Sequence, residues 1–229
     1  MNSRYGQLGL AILSFCLATS SLVWADAYGD RMQFADGLYT RGMHDLAMKE
    51  YAAILEAYPD GTQRDAATFR MAECMRLQGL SSEAGRLYAR VVVDHRQSPF
   101  RLRAAYRRAR LYMEDGDFTS AVAHFNVIIS EKPPSDLASA TLYYLGESLL
   151  GADNVDQADA TLARVVSEHP SSMFCVYALM KRGDIHRDRW SAAFEAKQDG
   201  DGGLAEQAIA FLKQALERPG TDRIAAEAL

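Results

Sequence analysis

The chain has 229 residues, 48% of them hydrophobic and 24% charged, with a formal net charge of −5 at pH 7, which is the make-up of a folded globular protein. The acidic excess is spread along the chain and argues against a nucleic-acid partner, which would need a basic face. Alanine is abundant and runs of Val, Ile and Thr are few, so the composition leans to helices.

Residues 1–25 read as a signal peptide. Arg4 supplies a positive start, Leu8 to Ala18 is an uncharged and mostly apolar run, and Val23-Trp24-Ala25 offers cleavage after Ala25. The run of 11 residues is too short to cross a hydrocarbon layer of roughly 30 Å as a helix. The alternatives are an uncleaved anchor or a buried N-terminal helix. The expectation is an exported chain, periplasmic or extracellular, with no transmembrane segment once mature. Cys16 follows Phe15, where a lipoprotein acceptor site wants a small residue, so no lipid anchor is expected.

From Asp26 onward the chain repeats itself every 37 residues. Ala47, Ala84, Ala121 and Ala158 mark one column. Four residues on stand Tyr51, Tyr88, Phe125 and Leu162, always bulky; three further come Ile54, Val91, Ile128 and Val165, always β-branched. Before the alanine lie Gly42, Gly79, Gly116 and Asp153 at a turn, and before those Ala35, Ala72, Ala109 and Gly146, always small. Arg101 to Pro133 shows the unit most clearly: a helix carrying Leu102, Ala105, Ala109 and Tyr112, a turn at Glu114 to Asp117, and a helix carrying Ala121, Phe125 and Ile128. Small residues let helix axes approach, the bulky residue fills the space beside them, and glycine tolerates a positive φ. Pro59, Pro133 and Pro170 close second helices; Ser98-Pro99 and Ser135-Asp136 are helix-start chemistry.

The repeats fall at about 28–61, 65–98, 102–135, 139–172 and 176–220. In the fifth, Gly183 is on register but the second-helix alanine comes at Ala208, so an insert enters near 186–203. Arg187 to Lys197 is expected to continue the first helix, Asp199 to Gly203 to turn, and Ala208, Leu212 and Ala215 to form the second helix. Residues 221–229 open a further or capping helix.

Catalytic and metal chemistry find little support. No histidine pair stands at H-x-x-x-H or H-E-x-x-H spacing, and no cysteine pair accompanies one. His95 and His169 share a column at a second-helix C-terminus, where the helix dipole favours positive charge. The Asp199 to Gly203 stretch has Ala210 where a calcium loop needs an acid. Phosphate-loop, dinucleotide and nucleophile-elbow motifs are missing. No cofactor and no metal are expected. Cys74 and Cys175 lie three repeats apart, beyond the roughly 7 Å reach of a disulfide, and are expected to be buried small residues.

On these columns the chain resembles the tetratricopeptide repeat (TPR) family, whose small residue, turn glycine, second-helix alanine, aromatic and closing proline appear as Ala109, Gly116, Ala121, Phe125 and Pro133. It departs in its period, longer than the family's usual 34, in the absent first-helix Trp (Thr68, Ala105 and Leu142 stand there), and in Asp153. The longer period is similar to TPR proteins of bacterial envelopes, those of outer-membrane assembly and the Tol–Pal system. The resemblance implies an all-α, right-handed α-solenoid of stacked helix-turn-helix repeats. It further implies a concave wall built from first-helix residues: Met32, Asp36 and Tyr39; Phe69, Glu73 and Arg76; Tyr106, Arg110 and Met113; Tyr143, Glu147 and Leu150; Met180, Asp184 and Arg187. Phe69, Tyr106 and Tyr143 would form an aromatic ladder there, suited to a peptide or protein segment, or else pack neighbouring repeats. Arg101, Arg103, Arg107, Arg108 and Arg110 form a local basic cluster, a solvated face or a dock for an acidic tail.

The resulting expectation is an exported, non-enzymatic scaffold that binds peptide or protein segments in its groove, within a complex of cell-envelope assembly. The alternatives are the N-terminal docking region of a longer, catalytic polypeptide and, less supported, a stand-alone hydrolase.

Overall fold

The computed structural model describes residues 27–195 and 203–218. The expected signal peptide, most of the Asp199 to Gly203 turn and the helix expected at 221–229 lie outside the described residues. Those described form ten helices and no strand. They are α1 (residues 27–40), α2 (His44–Ala57), α3 (Arg64–Leu77), α4 (Ser81–Asp94), α5 (Arg101–Glu114), α6 (Phe118–Ser130), α7 (Ser135–Gly151), α8 (Val155–Glu168), α9 (Met173–Glu195) and α10 (Leu204–Leu216). The chain divides between Ala104 and Ala105 into two compact units. In the first, α3 packs on α2 and α4; in the second, consecutive helices from α6 to α10 pack on one another and α7 also touches α9. The fold is all-α, built of helix-turn-helix repeats of the α-solenoid class.

The hairpin turns of the first four repeats are made the same way. Gly42, Gly79 and Gly116 adopt φ of 75°, 78° and 79°, and Asp153 adopts 58° in their place. At Gly116 the amide donates to the Met113 carbonyl (3.1 Å) and the next amide, of Asp117, to Tyr112 (2.8 Å). The pair of bonds recurs at Asp153 to Leu150 and Asn154 to Leu149. This double bond ends a helix on a left-handed residue and satisfies its last carbonyls. Asp117 then accepts from the Ser120 amide at 3.0 Å and caps α6.

The repeating columns are the core. Ala47, Ala84, Ala121 and Ala158 are wholly buried, as are Tyr51, Tyr88, Phe125 and Leu162. Burying each of these large side chains stabilises the fold by roughly 1.5–3 kcal/mol. In α5 the buried residues are Ala104, Tyr106, Ala109 and Leu111, so the apolar stripe expected at Leu102, Ala105 and Tyr112 is rotated, and those three are only half-buried. Gly146 is needed for close approach: a Cβ there would sit 2.8 Å from Cγ and Cδ2 of Leu162.

Ends and junctions differ in detail. α2, α6 and α8 stop two or three residues before Pro59, Pro133 and Pro170, because a residue preceding proline is pushed out of the helical region. Ser98 accepts the Phe100 amide at 3.0 Å, as expected of a helix start. Ser135 instead is the first residue of α7, behind Pro134, and its Oγ meets His169 Nδ1 at 3.1 Å. His95 and His169 are the C-caps of α4 and α8. In the fifth repeat the insert continues α9 to Glu195, so that it runs 23 residues. Ala208 and Ala215 of α10 are buried, while Leu212 is 40% exposed and closes on Gly183.

Candidate functional site

Built upward from the first helices, the site candidates separate into core residues and surface residues. In the first unit, Met32 is 4% exposed and belongs to the cluster of Tyr28, Leu38 and Tyr51. Glu73 is also 4% exposed; it accepts the Tyr88 hydroxyl and pairs with Arg76 at 3.3 Å. Both were expected on a groove wall, and both are instead enclosed. Asp36 accepts the Tyr51 hydroxyl at 2.5 Å and pairs with Arg70 at 3.1 Å. Tyr39 is half-buried beside the His44 ring, and Phe69 stacks on Phe100 at 5.2 Å. Burial, helped by Glu73, pushes the Cys74 thiol up to about 11; burial also raises Cys175. These buried free thiols are inert small residues at neutral pH.

The second unit carries a continuous aromatic surface. Tyr106 is enclosed, 9% exposed, with its ring 6.0 Å from Phe125 and 6.1 Å from Tyr144. Tyr143, half-buried, meets Tyr144 at 5.1 Å, Phe174 at 5.6 Å and Tyr177 at 5.9 Å. The expected link between Tyr106 and Tyr143 therefore passes through Tyr144, and Phe69 lies in the other unit. Burial raises the Tyr106 and Tyr143 hydroxyls above the ordinary phenol value, and the Glu147 carboxylate adds to the rise at Tyr143. They remain neutral hydrogen-bonding groups.

Charges around this surface are matched in pairs. The Arg110 guanidinium lies 3.7 Å above the Tyr144 ring and 3.5 Å from Glu114, a cation–π contact that strengthens when partly dry. Glu147 pairs with Lys181 at 3.2 Å. Arg187 pairs with Asp184 at 2.8 Å and Asp188 at 3.0 Å and is exposed. Met180 packs inward against Leu179 and Ala215. Leu150, Asp184 and Arg187 line a cleft of about 550 Å³ together with Val155, Ile185 and Ala192.

Four residues of this surface escape a column-by-column reading: Tyr144, Phe174, Tyr177 and Lys181. The available signal is spacing, because Phe174, Tyr177 and Lys181 stand at i, i+3 and i+7, which is one helix face. Among the described residues no group of three or more His, Cys, Asp or Glu is placed to hold a metal ion, and no helix is long and apolar enough to cross a membrane.

Residues 78–136 and 140–172 match the family described as "Tetratricopeptide repeat". Among solved structures, MamA superposes with a TM-score of 0.63 at 18% identity, covering 84% of this chain and 96% of MamA. MamA from Desulfovibrio magneticus RS-1 gives 0.63 at 13%, covering 84% and 93%. YrrB, described as a TPR protein with an unusual peptide-binding site, gives 0.57 at 14%, covering 87% and 91%. No curated protein sequence matches the chain. The family matches place tetratricopeptide repeats at residues 78–136 and 140–172, and the superpositions show a fold of the same kind. Repeats of this kind are characteristically scaffolds for protein–protein interaction rather than catalysts.

Proposed function

We propose that the protein is an exported, non-enzymatic scaffold that binds peptide or protein segments on the first-helix surface of its second unit and serves cell-envelope assembly. The observation that carries the binding reading is the run of half-buried rings Tyr143, Tyr144, Phe174 and Tyr177, bordered by paired charges. Rigid aromatic side chains with polar tips give large contact area at little entropic cost, which is why they anchor interfaces. The described likeness to YrrB, a protein with a peptide-binding site, supports the same reading. Export rests on the Arg4, Leu8–Ala18 and Ala25 pattern, and the envelope role on the 37-residue period.

Two experiments test these parts separately. For binding, Tyr143→Ala and Tyr177→Ala should each weaken capture of a native partner about tenfold; undiminished capture refutes the surface assignment. For export, cell fractionation with N-terminal sequencing should find a mature chain beginning at Asp26 outside the cytoplasm. An intact Met1 terminus in the cytoplasmic fraction refutes it.

A further inference from the structure

We propose that residues 221–229, which lie outside the described residues, form the first helix of a sixth repeat and close the exposed end face of α10. The columns mark that face out. Leu212 stands where the first four repeats carry Tyr51, Tyr88, Phe125 and Leu162, all wholly buried, yet it is 40% exposed. Leu216 stands where they carry Leu55, Val92, Ile129 and Val166, all half-buried, yet it is 70% exposed. In the third and fourth repeats the next first helix covers this column. Ile129 packs against the cluster that contains Leu142 of α7, and Val166 against Cys175, Val176 and Leu179 of α9. α10 is the last described helix, and its two leucines lack that cover.

The residues after α10 reproduce the missing helix column by column. Thirteen positions after Ile54, Val91, Ile128 and Val165 stand Ala67, Ala104, Thr141 and Ala178, each wholly buried. Thirteen after Ala215 stands Ala228. Seven positions after Val91, Ile128 and Val165 stand Ser98, Ser135 and Ser172; Ser98 and Ser172 accept the amides of Phe100 and Phe174 at 3.0 Å and 3.2 Å. Seven after Ala215 stands Asp222, a capping residue, with Ile224 in the place of Phe100, Leu137 and Phe174. In this register Ala225, Ala226 and Leu229 take the places of Cys175, Val176 and Leu179, the residues that cover Val166, and so they fall on Leu216. So short a helix is unstable alone in water, and burying Leu212 and Leu216 beneath it supplies what its own length does not.

The test is amide hydrogen exchange on the full chain, read by mass spectrometry of the fragments that follow α10. The last amides, 227–229, should exchange roughly tenfold or more slowly than in a free peptide of the same sequence. Leu216→Asp, a change at an exposed position, should return them to the free-peptide rate. Val127→Asp, at an exposed position of α6, should leave them protected, and circular dichroism should show both variants folded. Free-peptide rates in the parent overturn the proposal, and so does protection that survives Leu216→Asp. If the parent sediments as a dimer that Leu216→Asp dissociates, while 227–229 exchange freely in both, a second copy covers the face and the proposal falls.

Discussion

The hydroxyl of Tyr88 donates a hydrogen bond to the enclosed carboxylate of Glu73, one repeat after Tyr51 does the same to Asp36. Continuing both columns by 37 residues pairs Phe125, which has no hydroxyl, with Arg110, which has no acceptor. In the third repeat hydroxyl and acceptor are both gone and Arg110 turns to the Tyr144 ring instead; in the fourth the acid returns as Glu147 without a hydroxyl, Leu162 standing there, and Lys181 pairs with it. Removing one partner strands the other without water. Tyr88→Phe should therefore cost about 1–2 kcal/mol, read as a lower urea midpoint. Phe125→Tyr should also destabilise, because its new hydroxyl faces no carboxylate. Stabilisation by either substitution contradicts the pairing.

The turns make a prediction of opposite sign. Asp153 holds φ of 58° where its equivalents are glycines at 75° to 79°. A left-handed backbone costs a side-chain-bearing residue about 1 kcal/mol, so Asp153→Gly should raise the melting temperature. Gly116→Ala should lower stability by about 1 kcal/mol. Matching shifts in the same direction would contradict a shared turn geometry.

Gly146 and Leu162 form a close-packed pair that the first three repeats build as Ala with Tyr or Phe and the fifth as Gly183 with Leu212. Gly146→Ala places a methyl 2.8 Å from Leu162 Cγ, and overpacking of this kind costs roughly 1–3 kcal/mol. Adding Leu162→Phe recreates the Ala109 and Phe125 combination and should recover part of the loss. A double variant less stable than Gly146→Ala alone would show that the columns do not exchange as pairs.

How much of this was readable beforehand follows from the same columns. A side chain that meets one environment in every repeat, such as Ala84 or Ile128, declares its burial by recurring. The first-helix surface does not recur, since each repeat puts something different against it. Glu73 looks like an exposed acid until the Tyr88 hydroxyl is found above it. Tyr106 looks like a groove ring until Phe125 and Tyr144 enclose it. Tyr177 shares its column with Arg103 and Ala140, so no residue type announces it.

The fifth repeat replaces two core leucines with polar side chains. Arg182 and His186 stand 37 residues after Leu145 and Leu149, and both reach Asp159, at 2.6 Å and 3.4 Å, beneath the Phe211 ring. Burial pushes the Asp159 carboxyl up, but the hydrogen bond and charge of Arg182, with His186, outweigh it and hold it below the usual carboxylate value. A depressed carboxyl contributes stability above its unfolded value of about 3.9, and loses that contribution as pH falls through the lower folded value. Asp159→Asn should therefore destabilise by on the order of 2 kcal/mol at pH 7, with the gap to the parent closing below about pH 4. A gap independent of pH would contradict the ion-pair assignment.

The claim that binding belongs to the first-helix surface of the second unit is tested most directly by photocrosslinking in the native cell. A benzophenone side chain is placed at Tyr177 on that surface, or at Val127, which is 57% exposed on α6. The account predicts a discrete crosslinked partner from position 177 and none from 127. Equal crosslinking from both positions, or crosslinking from 127 alone, would contradict it.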